Sequence, residues 1–194
     1  GVAVRGFEIL DVVDTTTTKV RINLQLDDAG KRAGIPGRVI VKGGFQPHGR
    51  GLDHMHLREV RGYRDVFPLI PLPSPACYFA DFDPGRRQGI VIMEDLIQRD
   101  VRFCHATRPQ THREMISRLS LLARFHASTW NSPLIAPGGP LADLVEFFDA
   151  TQPWIEHYAV PEHWNRLIAT PRGVATSTRF HDRERMIAAW NRMA

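Results

Sequence analysis

Two charged side chains stand in this sequence where the pattern otherwise predicts apolar ones. Lys42 closes the apolar β run 38–42, and Glu59 falls on the apolar stripe of a helical stretch, one helical step from both Met55 and Tyr63. A carboxylate on such a stripe is costly unless a cation meets it. Because Lys42 ends a strand that reads as core, we predict that it pairs with Glu59.

A pair of this kind has a definite chemical use. A lysine that binds phosphate must be held in one position, and a carboxylate supplied by a separate helix can hold it. The competing interpretation is an ordinary edge-strand lysine and a solvated glutamate. The order of the surrounding strands and helix favours the first interpretation.

Five strands and one helix are expected to position these two groups. The alternating or apolar runs that predict strands are 6–13, 19–26, 38–42, 76–83 and 89–93. The stretch 52–67 predicts the helix, because its apolar residues recur at a spacing of three and four. Residues 27–30 read as a turn and 43–51 as a flexible link. The first three strands therefore form a meander with the helix packed across it.

The second half of the chain changes character and reads as helical. Thr111, with Glu114 three residues later, forms a capping-box pattern that predicts a helix ending near Trp130. The residues expected on the apolar face of this helix are Ile116, Leu119, Ala123 and His126. Further helices are predicted over 141–148, over 161–169 and after Asp182. The composition changes near 99–109, which predicts a β-rich lobe over 1–98 and a partial helical lobe over 99–194.

Composition and charge limit the classes of partner. The apolar content of 43% suits a globular core, and the net charge of +4 is spread along the chain without a basic block. Nucleic-acid binding is therefore not expected. Two cysteines fit a reducing cytosol, and no apolar run approaches the ~20 residues of a transmembrane helix. The start also lacks the apolar region of a signal peptide, so we expect a cytoplasmic protein without a membrane partner.

Two further segments could contact a nucleotide. Thr15, Thr16, Thr17 and Thr18 lie between the first two strands, where their hydroxyl and backbone N–H groups could donate to phosphate oxygens. A polar hairpin turn is the equally simple alternative. Glu94, Asp95 and Leu96 follow the fifth strand, where the backbone could offer a carbonyl and an N–H to the edge of an adenine. The alternative there is a strand that simply ends in acids.

The histidines and cysteines do not predict a metal site. His126 lies on the apolar stripe of its helix and reads as a core histidine bonded to a backbone carbonyl. His54 and His56 are two residues apart on a helix and point in different directions. Cys104 and His105 lack the second pair that a zinc site needs. No G-x-S-x-G or P-loop pattern appears, which argues against hydrolases and Walker-type enzymes.

At this point the chain resembles the aminoglycoside phosphotransferase and choline-kinase-like superfamily of small-molecule kinases, including its ecdysteroid-kinase-like branch. The segments that carry the resemblance are 39–42, Glu59, 90–96 and 121–130. The resemblance implies an α+β, protein-kinase-like fold with a five-stranded antiparallel lobe and one crossing helix, followed by part of a helical lobe. It also implies transfer of the γ-phosphate of ATP to a hydroxyl of a small molecule, with Mg²⁺ as the metal.

The same resemblance assigns roles to residues of this sequence. Lys42 would contact phosphate oxygens, Glu59 would hold Lys42, residues 15–18 would cover the phosphates and 94–96 would receive adenine. The family's catalytic His-Gly-Asp loop and its later metal-binding Asp have no counterpart here, so the metal ligands are expected beyond Ala194. We therefore expect weak nucleotide binding without catalysis from these 194 residues. The alternative is a non-catalytic kinase-like module, a pseudokinase or scaffold.

Overall fold

The computed structural model describes residues 1–70, 72–99, 101–104, 108–144 and 155–192. It divides into two compact units, Gly1–Ala142 and Asp143–Ala194. The lobes predicted over 1–98 and 99–194 stay a prediction, since a division by compactness does not test them.

The first unit is built on one five-stranded antiparallel sheet with the strand order β1-β2-β3-β5-β4. The strands are β1 Val4–Asp14, β2 Thr18–Leu26, β3 Arg38–Gly43, β4 Cys77–Asp83 and β5 Gln88–Glu94. Each begins and ends within two residues of its predicted bounds, because alternation and flanking turn residues mark strands clearly. The α+β class and the five-stranded antiparallel sheet are thereby confirmed.

The predicted turn between the second and third strands is wrong. Residues Asp28–Arg32 form a short helix, α1. The predicted meander is confirmed, because β1, β2 and β3 are adjacent and antiparallel in chain order. Asp27 is the N-cap, and its Oδ1 accepts a hydrogen bond from the backbone N–H of Gly30 at 2.7 Å. An Asp bonded to a backbone N–H ahead of it begins a turn and a helix alike, which explains the error.

The segment after β3 is ordered rather than a flexible link. A 3₁₀ helix covers Pro47–Leu52 and leads into α2, Asp53–Arg61, which continues as one π-helical turn, Gly62–Val66. The His56 side chain is 3% exposed, and its Nε2 lies 3.1 Å from the carbonyl oxygen of Gly49. This contact fastens the 3₁₀ helix to α2.

Helix α2 packs across β4 and β5 and encloses the core of this unit. Val60, Val91 and Met93 are buried together there, with Ile40 and Tyr63 packed against them. A Cβ on Gly89 would meet the His56 backbone oxygen at 3.1 Å, so glycine allows the helix to approach β5 closely. The register places Ile40 opposite Met93, so β3 contributes to the same covered face, which we call the inner face.

The opposite, outer face of the sheet is apolar, and along β1 it is open to solvent. The β1 side chains Phe7, Ile9 and Val12 lie opposite Leu24, Ile22 and Val20 of β2, and they are 62%, 57% and 50% exposed. Val39 of β3 lies opposite Ile22 on this same face and is 2% exposed, so the outer face is buried at the middle of the sheet and open along β1.

The capping box of the second half is confirmed, and the apolar face of the helix that follows it is exposed. Helix α3 covers His112–Thr129, with Thr111 as its N-cap and the reciprocal Glu114 contact present. None of its residues is buried: Ile116 and Leu119 are 49% and 54% exposed. His126 is exposed as well, so its interpretation as a core histidine is wrong.

The second unit consists of short helices. They are α4 Pro161–Ile168, α5 Pro171–Ala175 and α6 Arg183–Asn191, and residues 155–159 are also helical. Asp182 is the N-cap of α6, as predicted. Trp164 Nε1 donates to the His181 carbonyl at 2.8 Å and ties α4 to the segment before α6. The helix predicted over 141–148 is not seen in 141–144, and 145–148 lie outside the described residues.

Candidate functional site

The predicted partners Lys42 and Glu59 form an ion pair in the structure. Lys42 lies opposite Val91, which turns its side chain to the inner face and toward α2. Its Nζ donates a hydrogen bond to Glu59 Oε1. The two side chains are 21% and 23% exposed, so the pair is partly desolvated and reachable from solvent. A small anion can therefore approach the ammonium while the carboxylate holds it.

Tyr63 shows that the surroundings of this pair are poorly solvated. Burial raises the pKa of the Tyr63 phenol, and the negative charge of Glu59 adds to the increase. The phenol donates to Met93 Sδ at 3.6 Å, within the core beneath α2. Electrostatic attraction is stronger in such a setting than at an open surface.

A cleft of about 170 Å³ lies beside the pair, over β1, β2 and β3 on the inner face. Its apolar lining is formed by Val13, Ile40, Met93 and Phe103. Its charged lining comes from Asp11, Lys19 and Arg21, and the segment 94–96 forms one edge. Lys42 and Glu59 do not themselves line the cleft; Lys42 is the cross-strand neighbour of Lys19.

Arg21 fixes the side of the cleft that adjoins the end of β5. Its Nε donates to Asp95 Oδ2 at 2.9 Å and its Nη1 to Asp11 Oδ2 at 2.8 Å. Asp95 is 3% exposed, and its Oδ1 also accepts from the Ile97 N–H at 3.3 Å. Both Asp95 carboxylate oxygens are thus already hydrogen-bonded, one to Arg21 and one to the Ile97 backbone. A ligand at this edge would therefore contact the backbone of the segment rather than the Asp95 side chain.

The predicted adenine-binding segment 94–96 is therefore at the cleft edge, with part of its backbone already engaged. The Glu94 N–H donates to the Ala76 carbonyl at 2.8 Å, while the Ala76 N–H donates to Glu94 Oε2 at 3.2 Å. The Glu94 carboxylate also accepts from Arg99. Leu96, which begins the 3₁₀ helix Leu96–Gln98, lines the cleft.

Thr15, Thr16 and Thr17 form the turn between β1 and β2, and Thr18 begins β2. The Thr15 and Thr18 hydroxyls donate hydrogen bonds within this region. Thr15 Oγ1 donates to the Thr17 carbonyl at 3.0 Å, and the buried Thr18 Oγ1 donates to Asp14 Oδ1 at 2.9 Å. The residues that line the cleft begin just outside this turn, at Val13 and Lys19. The turn thus adjoins the cleft without forming its wall, and a covering role for residues 15–18 stays a prediction.

Sequence reasoning missed Lys19 and Arg21. Both lie on the polar side of the strictly alternating strand 19–26, and the polar side of a half-buried strand ordinarily faces solvent. The register places Lys19 opposite Lys42 and Arg21 opposite Ile40, so this polar side belongs to the inner face. Pairing the polar positions of β2 with Lys42 would have found both residues.

Within the described residues no group of three or more His, Cys, Asp and Glu side chains could hold a metal ion. None of the described helices combines the length and apolar character needed to cross a bilayer.

No family model, curated protein or solved structure matches this chain. The resemblance to small-molecule kinases therefore stays a prediction from the sequence.

Proposed function

We propose that this chain carries the nucleotide-binding part of an ATP-dependent phosphotransferase that acts on a hydroxyl of a small molecule. The observation that carries the proposal is the ion pair between Lys42 and Glu59 on the inner face of the sheet. A strand lysine held by a glutamate of the following helix is the arrangement with which kinases position nucleotide phosphates. The proposal includes a kinase-like fold for the sheet and α2, supported by the helix that lies between β3 and β4 in the chain.

The character of the cleft lining supports the proposal. Ile40 and Met93 provide an apolar floor for the flat face of a base, and the backbone at Leu96 lies at its edge. Lys42 would contact phosphate oxygens, and Glu59 would keep the ammonium in place. Bound ATP supplies the γ-phosphoryl group to be transferred. We assign no residue of this chain to Mg²⁺ and no step of the reaction to a metal.

Titration of ATP into the wild-type chain and Lys42→Ala tests the proposal. A hydrogen bond to a charged group is worth about 1.5–3 kcal/mol, so we expect Lys42→Ala to weaken binding by roughly ten- to a hundredfold. Lys31→Ala is the matched control, because Lys31 is 67% exposed on α1 and pairs with Asp28 at 3.6 Å. Equal ATP affinity of the wild type and Lys42→Ala would remove Lys42 from the site. Absence of ATP binding by the wild type would end the proposal.

A further inference from the structure

Lysine is rare in this chain, and two of its lysines lie at the cleft or directly beside it. Of the 25 basic residues only three are lysines, namely Lys19, Lys31 and Lys42. Two of these three, Lys19 and Lys42, lie directly opposite each other on β2 and β3, with both side chains on the inner face. Like charges placed directly opposite each other destabilise a sheet. The arrangement therefore works against the stability of the free chain.

The positive charges of Lys19 and Lys42 are neutralised to different extents by their hydrogen-bond partners. Lys42 donates to the Glu59 carboxylate, whereas the Lys19 Nζ donates to a neutral hydroxyl, Thr15 Oγ1, at 3.0 Å. Within the described part of the chain no carboxylate forms an ion pair with Lys19. The neighbouring cation Arg21 is held by both Asp11 and Asp95. Lys19 is thus the cation of the cleft lining whose charge is left for a ligand.

The position of Lys19 suits a phosphate chain rather than a base. It lies near the start of β2, next to the turn and across from Val13. The apolar floor of the cleft at Ile40 lies two residues further along, opposite Arg21. A ligand whose base rests on that floor would extend its anionic chain toward Lys19 and Lys42. An anion between these two ammonium groups would also relieve their repulsion.

We propose that Lys19 is a second phosphate-binding lysine, so that Lys19 and Lys42 hold the polyphosphate of a nucleoside triphosphate from two adjacent strands. This inference rests on the proposed function and adds a residue that sets the preference for polyphosphate over monophosphate. Lys42 is fixed by Glu59, while Lys19 exchanges its bond to the Thr15 hydroxyl for one to a phosphate oxygen.

Binding of ATP and AMP to matched lysine variants tests this assignment at one fixed ionic strength, because salt screens these contacts. We expect Lys19→Ala to weaken ATP binding about tenfold and AMP binding less than about threefold. Lys19→Arg keeps the charge and should retain most of the ATP affinity, and Lys31→Ala should match the wild type. In the absence of ligand, Lys19→Ala should melt at or above the wild-type temperature, which also shows that it folds.

The outcomes separate this inference from the proposed function. If Lys19→Ala binds ATP as tightly as the wild type while Lys42→Ala does not, the role of Lys19 is overturned and the nucleotide site stands. Equal weakening of ATP and AMP by Lys19→Ala would indicate a structural role and overturn the inference as well. If the wild type binds neither nucleotide, both proposals fail.

A second measurement uses the three lysines directly. An ATP derivative with an acyl group on its terminal phosphate reacts with a nearby lysine amine: the amine nitrogen attacks the acyl carbon, an amide forms, and the nucleotide leaves with the terminal phosphate. Mass spectrometry should find the acyl group on Lys19 and Lys42, and excess ATP should prevent the reaction. Labelling of Lys42 without Lys19 would overturn the assignment of Lys19. Labelling of Lys31 to the same extent would overturn it too, because the reaction would then not report the cleft.

Discussion

Lys42 and Glu59 lie between the extremes of a solvated ion pair and a buried one. Each side chain is about one-fifth exposed, so the pair loses part of its hydration and gains part of the attraction of a low-dielectric setting. The sequence predicted this pair because a carboxylate on an apolar stripe requires a cation. Lys19 and Arg21 were not predicted, since a polar strand face next to water and one next to a cleft have the same alternation.

The coupling between Lys42 and Glu59 should be measurable in the stability of the free chain. We expect Glu59→Gln and Lys42→Met each to lower the free energy of unfolding, and the double variant to lose less than the sum. A coupling free energy of about 0.5–1 kcal/mol is expected for a partly exposed pair. Denaturant unfolding of the four proteins gives this value. If the losses of the two single variants simply add up in the double variant, the two side chains are not coupled and the pairing is contradicted.

The pair formed by Asp53 and Arg87 should make stability depend on acid pH. Hydrogen bonds from the Arg87 guanidinium, at 3.0 and 2.7 Å, lower the pKa of the Asp53 carboxyl. A carboxyl whose pKa is lower in the folded state stabilises the fold above its unfolded pKa of about 3.9. This contribution is lost as the pH falls through the lower folded pKa.

Asp53→Asn should therefore show a smaller loss of stability than the wild type when the pH is lowered from about 5 to 2. Arg87→Ala should give the same reduced slope, because it removes the cause of the pKa shift. Urea unfolding at several pH values measures these slopes. Parallel slopes for the wild type and Asp53→Asn would refute the prediction.

At the scale of elements, the sequence predicted regular structure well and its connections poorly. The strands and α2 follow from periodicity, because their apolar residues recur at the spacing that places them on one face of a strand or a helix. The connection before β3 was misread because Asp27 caps α1 with the same hydrogen bond that begins a turn. The segment after β3 was misread because its glycines suggest flexibility, whereas Gly44 and Gly49 are buried against one another and against His56.

Gly44 should be intolerant of a side chain for this reason. A Cβ at position 44 would overlap the ring of the buried His56. We expect Gly44→Ala to lower the free energy of unfolding by about 1–3 kcal/mol, the usual cost of overpacking. Gly62→Ala is the matched control: its Cβ meets nothing within 4 Å and its φ of −53° is helical, so it should stabilise by about 0.5–1 kcal/mol. Shifts in the urea midpoint at constant slope measure both, and equal effects of the two variants would contradict the packing argument.

At the scale of the whole molecule, every residue that lines the described cleft belongs to the unit Gly1–Ala142. The sequence could predict the helical character of the second half from its periodicity and caps. It could not predict which helical residues are buried, because an amphipathic stripe does not specify what it packs against, as the exposed Ile116 and Leu119 of α3 show.

The fragment 1–142 should therefore retain the nucleotide affinity of the 194-residue chain to within about threefold. Circular dichroism and a cooperative thermal transition would first establish that the fragment is folded. Calorimetric titration with ATP then compares the two proteins. A folded fragment that binds much more weakly than the whole chain would show that residues after 142 contribute to the site.

The scarcity of lysine gives this protein an unusual spectroscopic property. Growth with ¹⁵N-lysine as the only isotope-labelled amino acid would place a label at three positions, two of them on facing strands beside the cleft and one on α1. A correlation spectrum of the chain would then consist of three backbone amide signals. The signal of Lys31 would serve as an internal reference, and the other two would report occupancy of the cleft without any substitution.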